Sequence, residues 1–117
     1  MAAYIVFIKE RTINPEELDT YSQMAPDSLR GFPISIKALY GNNELIEGEE
    51  KPEGIAILEF PSYEEAKAWY ESPLYQAAKK HRLRSGQYRS FIIEGVIRLF
   101  ISLRDSFGFL LVSKLLN

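Results

Sequence analysis

Several residue types that carry chemistry in proteins are absent or scarce in this 117-residue chain, which has no cysteine, one histidine and one tryptophan. Without cysteine there is no disulfide framework, no thiolate nucleophile and no thiolate metal site. His81 is the only histidine, and a single imidazole does not build a zinc site without several suitably spaced carboxylates, which the sequence does not supply. We therefore expect neither a metal nor a bound cofactor.

An excess of one charge and a long apolar segment at the N-terminus are also missing. The chain has 14 Lys and Arg residues and 16 Asp and Glu residues, which gives a formal net charge of -2. Because the cations are scattered along the sequence, they do not form the basic patch that nucleic-acid binding requires. The one basic cluster, Lys79, Lys80, Arg82 and Arg84, falls at a predicted helix C-terminus, where cations complement the helix dipole. Because no charged segment followed by a long apolar run opens the chain, we expect a cytoplasmic protein without a membrane span.

Apolar residues make up 46% of the chain, and their spacing predicts six elements in the order βαββαβ. The first helix has Asn14 as its N-cap and should end near Met24. The predicted strands are Tyr4 to Lys9, Ile34 to Tyr40, Gly54 to Phe60 and Tyr88 to Val96. This order builds an antiparallel four-stranded sheet with two helices on one face, which is the ferredoxin-like α+β arrangement.

The capping residues of the second helix predict that it is divided into two segments. Ser62 and Glu65 form a capping box directly after Pro61. Ser72 can then act as a second N-cap, and Pro73 suits the first position of a restarted helix because its missing N–H is not needed there.

The segment from Glu59 to Ala78, together with Ile46-Glu47-Gly48 and Lys51-Pro52-Glu53, closely resembles the bacterial domain of unknown function 1330 family. We place the resemblance at residues 3–96. It implies the fold of the dimeric α+β barrel superfamily for residues 1–97. The remaining residues, 98–117, are expected to be a C-terminal extension that the family does not require.

In three of the predicted strands, the residues that point to either face of the sheet are apolar. These stretches are Tyr4 to Ile8, Ile55 to Leu58 and Phe91 to Ile93. A sheet with helices on one face and water on the other should alternate apolar and polar residues. We therefore expect a homodimer in which the second face packs on a second subunit. The alternative is that the C-terminal extension covers this face.

The extension itself is mostly apolar and predicts a helix with a narrow polar strip. Arg104, Asp105 and Gly108 near its middle argue against a membrane span. We expect the helix to pack on its own or the neighbouring subunit. A peripheral membrane contact and a tail created by truncation or a frame change are the alternatives.

Trp69, Tyr75 and Arg89 have a spacing that is similar to the pocket residues of the cofactor-free monooxygenases of polyketide quinone formation. The resemblance implies that the two rings stack on a flat substrate while Tyr75 and Arg89 bind its phenolate or developing oxyanion. One position departs from the pattern, since Glu65 stands where those enzymes have Asn. The alternative is core packing for Trp69 and Tyr75 and an ion pair for Arg89.

His81, Glu59 and Glu94 are further candidates. The haem-degrading monooxygenases of the superfamily use a Trp and a His on the second helix, but Trp69 and His81 are two residues too far apart and the first strand lacks their Asn. His81 is therefore expected at a solvated helix end, with a pocket acid or base role as the alternative. Glu59 and Glu94 interrupt apolar strands, which suits either a general base in a pocket, as in lactone isomerases of the superfamily, or an ion pair.

The sequence leaves three classes of function. The first is a cofactor-independent enzyme, of monooxygenase or isomerase type, acting on a small aromatic or lactone-like molecule. The second is a stress-associated or binding dimer that holds a small hydrophobic ligand without turnover. The third is a structural or partner-binding dimer.

Overall fold

The computed structural model describes residues 1–96, which form four strands and three helices in the order β1-α1-β2-β3-α2-α3-β4. The predicted βαββαβ order is thereby confirmed. The second helix is divided into α2 and α3, as its capping residues predict. The elements are β1 (Ala3–Thr12), α1 (Pro15–Ser28), β2 (Ser35–Leu39), β3 (Gly54–Phe60), α2 (Tyr63–Tyr70), α3 (Pro73–Ser85) and β4 (Gly86–Glu94).

The predicted C-terminal helix and the domain boundary at residue 97 lie outside the described residues. Among residues 1–96 the longest helix, α1, has 14 residues, and no helix there combines the length and apolar character that a membrane crossing needs.

The four strands form one antiparallel sheet in the order β2-β3-β1-β4. Side chains alternate across it, so that Ala3, Ile5 and Phe7 of β1 point to the side covered by the helices, here called the helix face. Their neighbours Tyr4, Val6 and Ile8 point to the other side, here called the open face. The core lies on the helix face, where α2 and α3 pack the buried side chains of Ala66, Trp69, Tyr75 and Ala78 against β1 and β3.

Each helix begins at the residue that its sequence signal predicts. Asn14 Oδ1 accepts hydrogen bonds from the backbone N–H groups of Glu16 and Glu17. Ser62 Oγ accepts from the Glu65 N–H at 3.1 Å, and Ser72 Oγ accepts from the Tyr75 N–H at 3.3 Å. These caps satisfy amides that have no partner within the helix, and they fix where α2 stops and α3 starts.

Several boundaries differ from the sequence prediction, including the ends of β1 and β4, and two of the differences have a clear physical reason. Helix α1 continues past Met24 to Ser28 and contains Pro26, because a proline this close to the end removes only one hydrogen bond. Strand β2 stops at Leu39, since Tyr40 turns into the left-handed region with φ of 54°.

The open face is mostly apolar on β1, β3 and β4. By register, its cross-strand neighbours include Val6, Ile57 and Phe91, and Tyr4 lies beside Ile93. Phe91 and Ile93 are 47% and 58% exposed in the single subunit. The strands are thus apolar on both faces, as the sequence predicts, and no helix of residues 1–96 covers the second one.

At Gly86, strand β4 comes close to the backbone of β1. A Cβ atom at this position would lie 2.1 Å from the Arg11 carbonyl oxygen and 3.1 Å from Thr12 Cα. The carbonyl of the preceding residue, Ser85, accepts hydrogen bonds from the N–H groups of Ile13 and Asn14 at 2.7 and 2.8 Å, so the backbone there has little freedom to move.

We therefore expect Gly86→Ala to destabilise the fold by about 2–3 kcal/mol, the upper range for overpacking, because the obstacle is backbone rather than a flexible side chain. Gly41→Ala is the matched control, since nothing lies within 4 Å of a Cβ atom there. Chemical denaturation of both variants measures the difference. Equal stability of the two variants would show that this contact does not limit the packing of β1 on β4.

Candidate active site

A cavity of about 320 Å³ lies on the helix face between α1 and strands β1 to β3. Its walls are mostly apolar and include Phe7, Leu29, Ile36, Leu39, Leu58 and the ring of Trp69. The lining residues that carry a hydroxyl group are Tyr21, Ser22 and Tyr40. No carboxylate, histidine, lysine or arginine is among the described residues that line it. The cavity is therefore suited to a small flat molecule, at the lower end of the ~300–1,000 Å³ range of ligand pockets.

Trp69 is held rigidly at the inner end of the cavity. Its side chain is only 1% exposed, and the indole Nε1 donates to Ser28 Oγ at 3.2 Å. The Ser28 hydroxyl in turn donates to the Ala25 carbonyl oxygen at 2.6 Å. The ring lies 4.2 Å from the Tyr75 ring, centroid to centroid, so Trp69 is both part of the core and part of the cavity wall.

A chain of hydrogen bonds runs behind the cavity from helix α3 to helix α1. Arg82 Nε donates to the Tyr75 hydroxyl at 3.1 Å, and the Tyr75 and Tyr21 hydroxyls are 3.0 Å apart. Tyr75 and Arg82 share the buried side of α3 with Ala78 and Ser85, at the three- and four-residue spacing of one helix face. This spacing places the guanidinium inside the protein.

Arg82 is 2% exposed, so this member of the basic cluster at the end of α3 lies inside the protein. The guanidinium carbon lies 5.0 Å from the centroids of both the Phe7 and Tyr88 rings. Arg82 takes part in none of the ion pairs formed by residues 1–96. A desolvated cation over an aromatic face gains about 2 kcal/mol, whereas burying a charge without a partner costs several kcal/mol.

Tyr40 completes the polar surroundings of Arg82, and its backbone is unusual. A φ of 54° is sterically unfavourable for a bulky residue. The Tyr40 ring occupies the space that a side chain at Gly54 would need, because a Cβ atom there would lie 2.6 Å from Tyr40 Cδ1. Glycine at this position therefore allows Tyr40 to pack on β3 and line the cavity.

Burial raises the pKa of four tyrosines around Arg82, namely Tyr21, Tyr40, Tyr75 and Tyr88. The positive charge of Arg82 opposes the increase in pKa in each case but does not cancel it. At neutral pH these groups are phenols, which donate a hydrogen bond well and accept a proton poorly.

The structure does not bring Arg89 to Trp69 and Tyr75, so the expectation that these three residues share a pocket is wrong. Arg89 pairs with Ile8 in the sheet, lies on the open face and is bound to Glu10 at 2.8 Å. The cation next to Tyr75 is Arg82 instead. Neighbouring residues of β4 point to opposite faces, and the spacing pattern alone does not distinguish them.

Glu59 and Glu94 are also away from the cavity. Glu59 is paired with Tyr4 in the sheet and lies on the open face, where it lines a recess of about 770 Å³ at the edge of the sheet with Met1, Phe32 and Val96. Glu94 is exposed at the end of β4. Neither carboxylate is placed to act as a base beneath the helices.

His81 is half-buried and is bonded through Nδ1 to the Glu17 carboxylate of α1. Arg84 Nη1 is 4.0 Å from the same carboxylate. This contact ties the exposed edges of α1 and α3 together, and His81 is not among the residues that line the cavity.

The raised tyrosine pKa values predict a specific response to alkali. The unfolded chain loses its phenolic protons near the ordinary pKa of about 10, whereas the folded protein retains those of Tyr21, Tyr40, Tyr75 and Tyr88. Stability should therefore be unaffected by these groups below pH ~10 and fall as the pH rises above it.

The ultraviolet absorbance of tyrosinate measures this directly, with the protein in denaturant as the control. We expect part of the tyrosine absorbance to appear only with loss of the folded state. Ionisation of all seven tyrosines in the folded protein near the denatured midpoint would contradict the burial of this cluster.

Solved structures share the fold at low identity. The RPA0582 protein of unknown function from Rhodopseudomonas palustris is 16% identical with a TM-score of 0.62, covering 82% of this chain and 83% of that one. A dimeric ferredoxin-like protein of unknown function from Jannaschia sp. is 15% identical with a TM-score of 0.57, covering 81% and 100%. SnoaB, a cofactor-independent oxygenase from Streptomyces nogalater, is 9% identical with a TM-score of 0.52, covering 89% and 97%. At these identities the similarity establishes the ferredoxin-like fold.

No curated protein sequence matches the chain. The model of one protein family does match, over residues 2–96, and its description is domain of unknown function (DUF1330). The match takes in every strand and helix of the described structure and agrees with the resemblance carried by the segment from Glu59 to Ala78. The chain belongs to the DUF1330 family.

Proposed function

We propose that the helix-face cavity binds a small, flat molecule with an ionisable oxygen, such as a hydroxylated aromatic or a lactone-like enol, and that the protein acts on it without a cofactor. The observation that carries this proposal is the pairing of an aromatic wall at Trp69 with a phenol, Tyr21, that is hydrogen-bonded to Tyr75 and through it to Arg82. An aromatic side chain in the wall packs against the ring of the ligand, while the phenol of Tyr21 binds the oxygen of the ligand.

The chemistry that this site is equipped for is stabilisation of an oxyanion. Phenols held in a largely apolar site are preorganised hydrogen-bond donors, which is the main requirement for a reaction that builds negative charge on oxygen. Oxygenation of an ionised aromatic and isomerisation through an enolate both have this requirement. The similarity of the fold to that of a cofactor-independent oxygenase is consistent with the first reaction.

Binding without turnover is the second candidate, and the absence of a base favours it. Among the described residues that line the cavity there is no carboxylate or histidine to accept a proton at neutral pH. A substrate would therefore have to ionise readily by itself. Oxygen uptake distinguishes oxygenation from simple binding, and exchange of the ligand's carbon-bound hydrogen in deuterated water detects enolisation.

Binding is tested most simply through Trp69, the one tryptophan of the chain. We expect hydroxylated naphthalenes and quinones to quench its fluorescence, because the ligand would bind next to the indole. Tyr21→Phe should weaken binding of a hydroxylated ligand by about 1 kcal/mol, the usual scale of one hydrogen bond.

Tyr63→Phe is the matched control for this experiment, since it removes the same hydroxyl from a residue that is 37% exposed and outside the cavity. A full panel of such ligands without any quenching would exclude the proposal. Equal losses of affinity in the two variants would exclude Tyr21 as the contact.

We further propose that the protein is a homodimer whose subunits pack through their open faces. Support comes from the exposed apolar residues of this face, including Phe91 and Ile93. Similar structures from other organisms are described as dimeric. Covering this face would remove large apolar side chains from water, at about 25 cal/mol for each Å² buried.

A charge on this face should separate the subunits. We expect Ile93→Lys to weaken the dimer by about 3 kcal/mol or more, roughly two orders of magnitude in the dissociation constant, because the ammonium would be buried without a partner. Leu74→Lys, on the outer side of α3, is the control, since Leu74 is 61% exposed and Ile93 is 58% exposed.

Sedimentation at micromolar concentration measures the assembly of both variants and of the unaltered protein. A monomeric unaltered protein, or an Ile93→Lys variant that remains as dimeric as the Leu74→Lys control, would contradict the proposal.

A further inference from the structure

The charge of Arg82 is the least compensated feature of the protein interior. A guanidinium is not deprotonated in proteins, so Arg82 remains positive at every pH at which the protein is folded. Within residues 1–96 its side chain meets two aromatic faces and one hydroxyl, and it takes part in no ion pair. The uncompensated positive charge of Arg82 therefore influences the orientation of the hydroxyl groups near it.

Those dipoles form a chain with a preferred direction. Arg82 Nε has only a hydrogen to offer, so the Tyr75 oxygen must be the acceptor in that contact. The Tyr75 and Tyr21 hydroxyls are 3.0 Å apart, and their geometry allows either of them to donate. The guanidinium repels the Tyr75 hydroxyl proton, which favours the arrangement in which Tyr75 donates to Tyr21. In that arrangement the Tyr21 hydroxyl proton is free to bond a ligand in the cavity.

Only the last member of the chain reaches the cavity. Tyr75 is 0% exposed and is not among the residues that line the cavity, whereas Tyr21 is. Each hydrogen bond in such a chain polarises the next, which makes the terminal hydroxyl a stronger donor than an isolated phenol.

We infer that the cavity selects ligands whose oxygen is negatively charged, through a Tyr21 hydroxyl that Arg82 and Tyr75 orient as a donor. The ligand class is a flat molecule that carries a carboxylate, phenolate or enolate at the end facing Tyr21. Tyr21 is the contact residue, and Tyr75 and Arg82 are positioning residues that act through it. This inference rests on the proposed function, because it assigns a charge to the ligand of the same cavity.

A purely structural role for Arg82 makes a different prediction. If the guanidinium served only to hold α3 against Phe7 and Tyr88, its charge would not influence which ligand binds. Removing the charge would then change stability alone, and the ratio of affinities for charged and neutral ligands would stay the same.

The test compares 3-hydroxy-2-naphthoate with its carboxamide, which has nearly the same shape but no charge at neutral pH. Isothermal titration calorimetry on the full-length protein measures both affinities. We expect the carboxylate to bind at least about tenfold more tightly, because a hydrogen bond to a charged acceptor is roughly twice as strong as a neutral one.

Tyr21→Phe and Arg82→Met should both reduce this preference to about threefold or less, while the affinity for the carboxamide falls by no more than about fivefold, the loss expected for one neutral hydrogen bond. Arg82→Lys keeps the charge and should retain most of the preference. Arg84→Met is the control, because the side chain of Arg84 is 64% exposed and that of Arg82 is buried. If Arg82→Met does not fold, Tyr21→Phe and Arg82→Lys still decide the matter.

Equal affinity of the unaltered protein for the two ligands would overturn the inference and leave the proposed function intact. So would a carboxylate preference that Tyr21→Phe does not change. Failure of both ligands to bind would overturn the inference together with the proposed function.

Discussion

The structure depends on keeping the Arg82 guanidinium inside the protein without an acidic partner among the described residues. The charge is tolerated because Phe7 and Tyr88 present their ring faces to it and Tyr75 accepts a hydrogen bond from it. Each of these contacts is weaker than an ion pair, and together they require an aromatic layer between the sheet and the helices. The core is therefore built from large rings, and the space they leave next to α1 is the cavity.

Two features of the backbone allow this aromatic layer to form. Tyr40 adopts a left-handed conformation at the end of β2 and packs where Gly54 has no side chain. Ser72 ends one helix and starts the next, which sets the rotation of α3 and turns Tyr75 and Arg82 inward. Strained backbone at the wall of a cavity is often associated with function, and here it holds an ionisable ring beside the candidate ligand site.

Much of the fold could be predicted from the sequence because local signals decide it. Asn14, Ser62 and Ser72 cap the helices as expected, and the apolar strands indicate both faces of the sheet. The candidate site is less predictable, because the spacing indicates that Trp69 and Tyr75 lie together but does not indicate which cation lies beside them. Arg89 fits the spacing of the monooxygenase pocket residues yet lies on the opposite face, whereas Arg82 stands among lysines and resembles a surface residue. Its helical spacing from Tyr75 was the available signal, but charge is normally taken as evidence of exposure.

The central claim is that the helix-face cavity is a ligand site with Tyr21 as its donor. A crystal structure of the protein with bound 3-hydroxy-2-naphthoate tests it most directly. We expect the naphthalene ring to lie against Trp69 and a ligand oxygen to lie within hydrogen-bonding distance of the Tyr21 hydroxyl. A ligand bound in the recess beside Glu59 or on the open face, with the helix-face cavity empty, would contradict it.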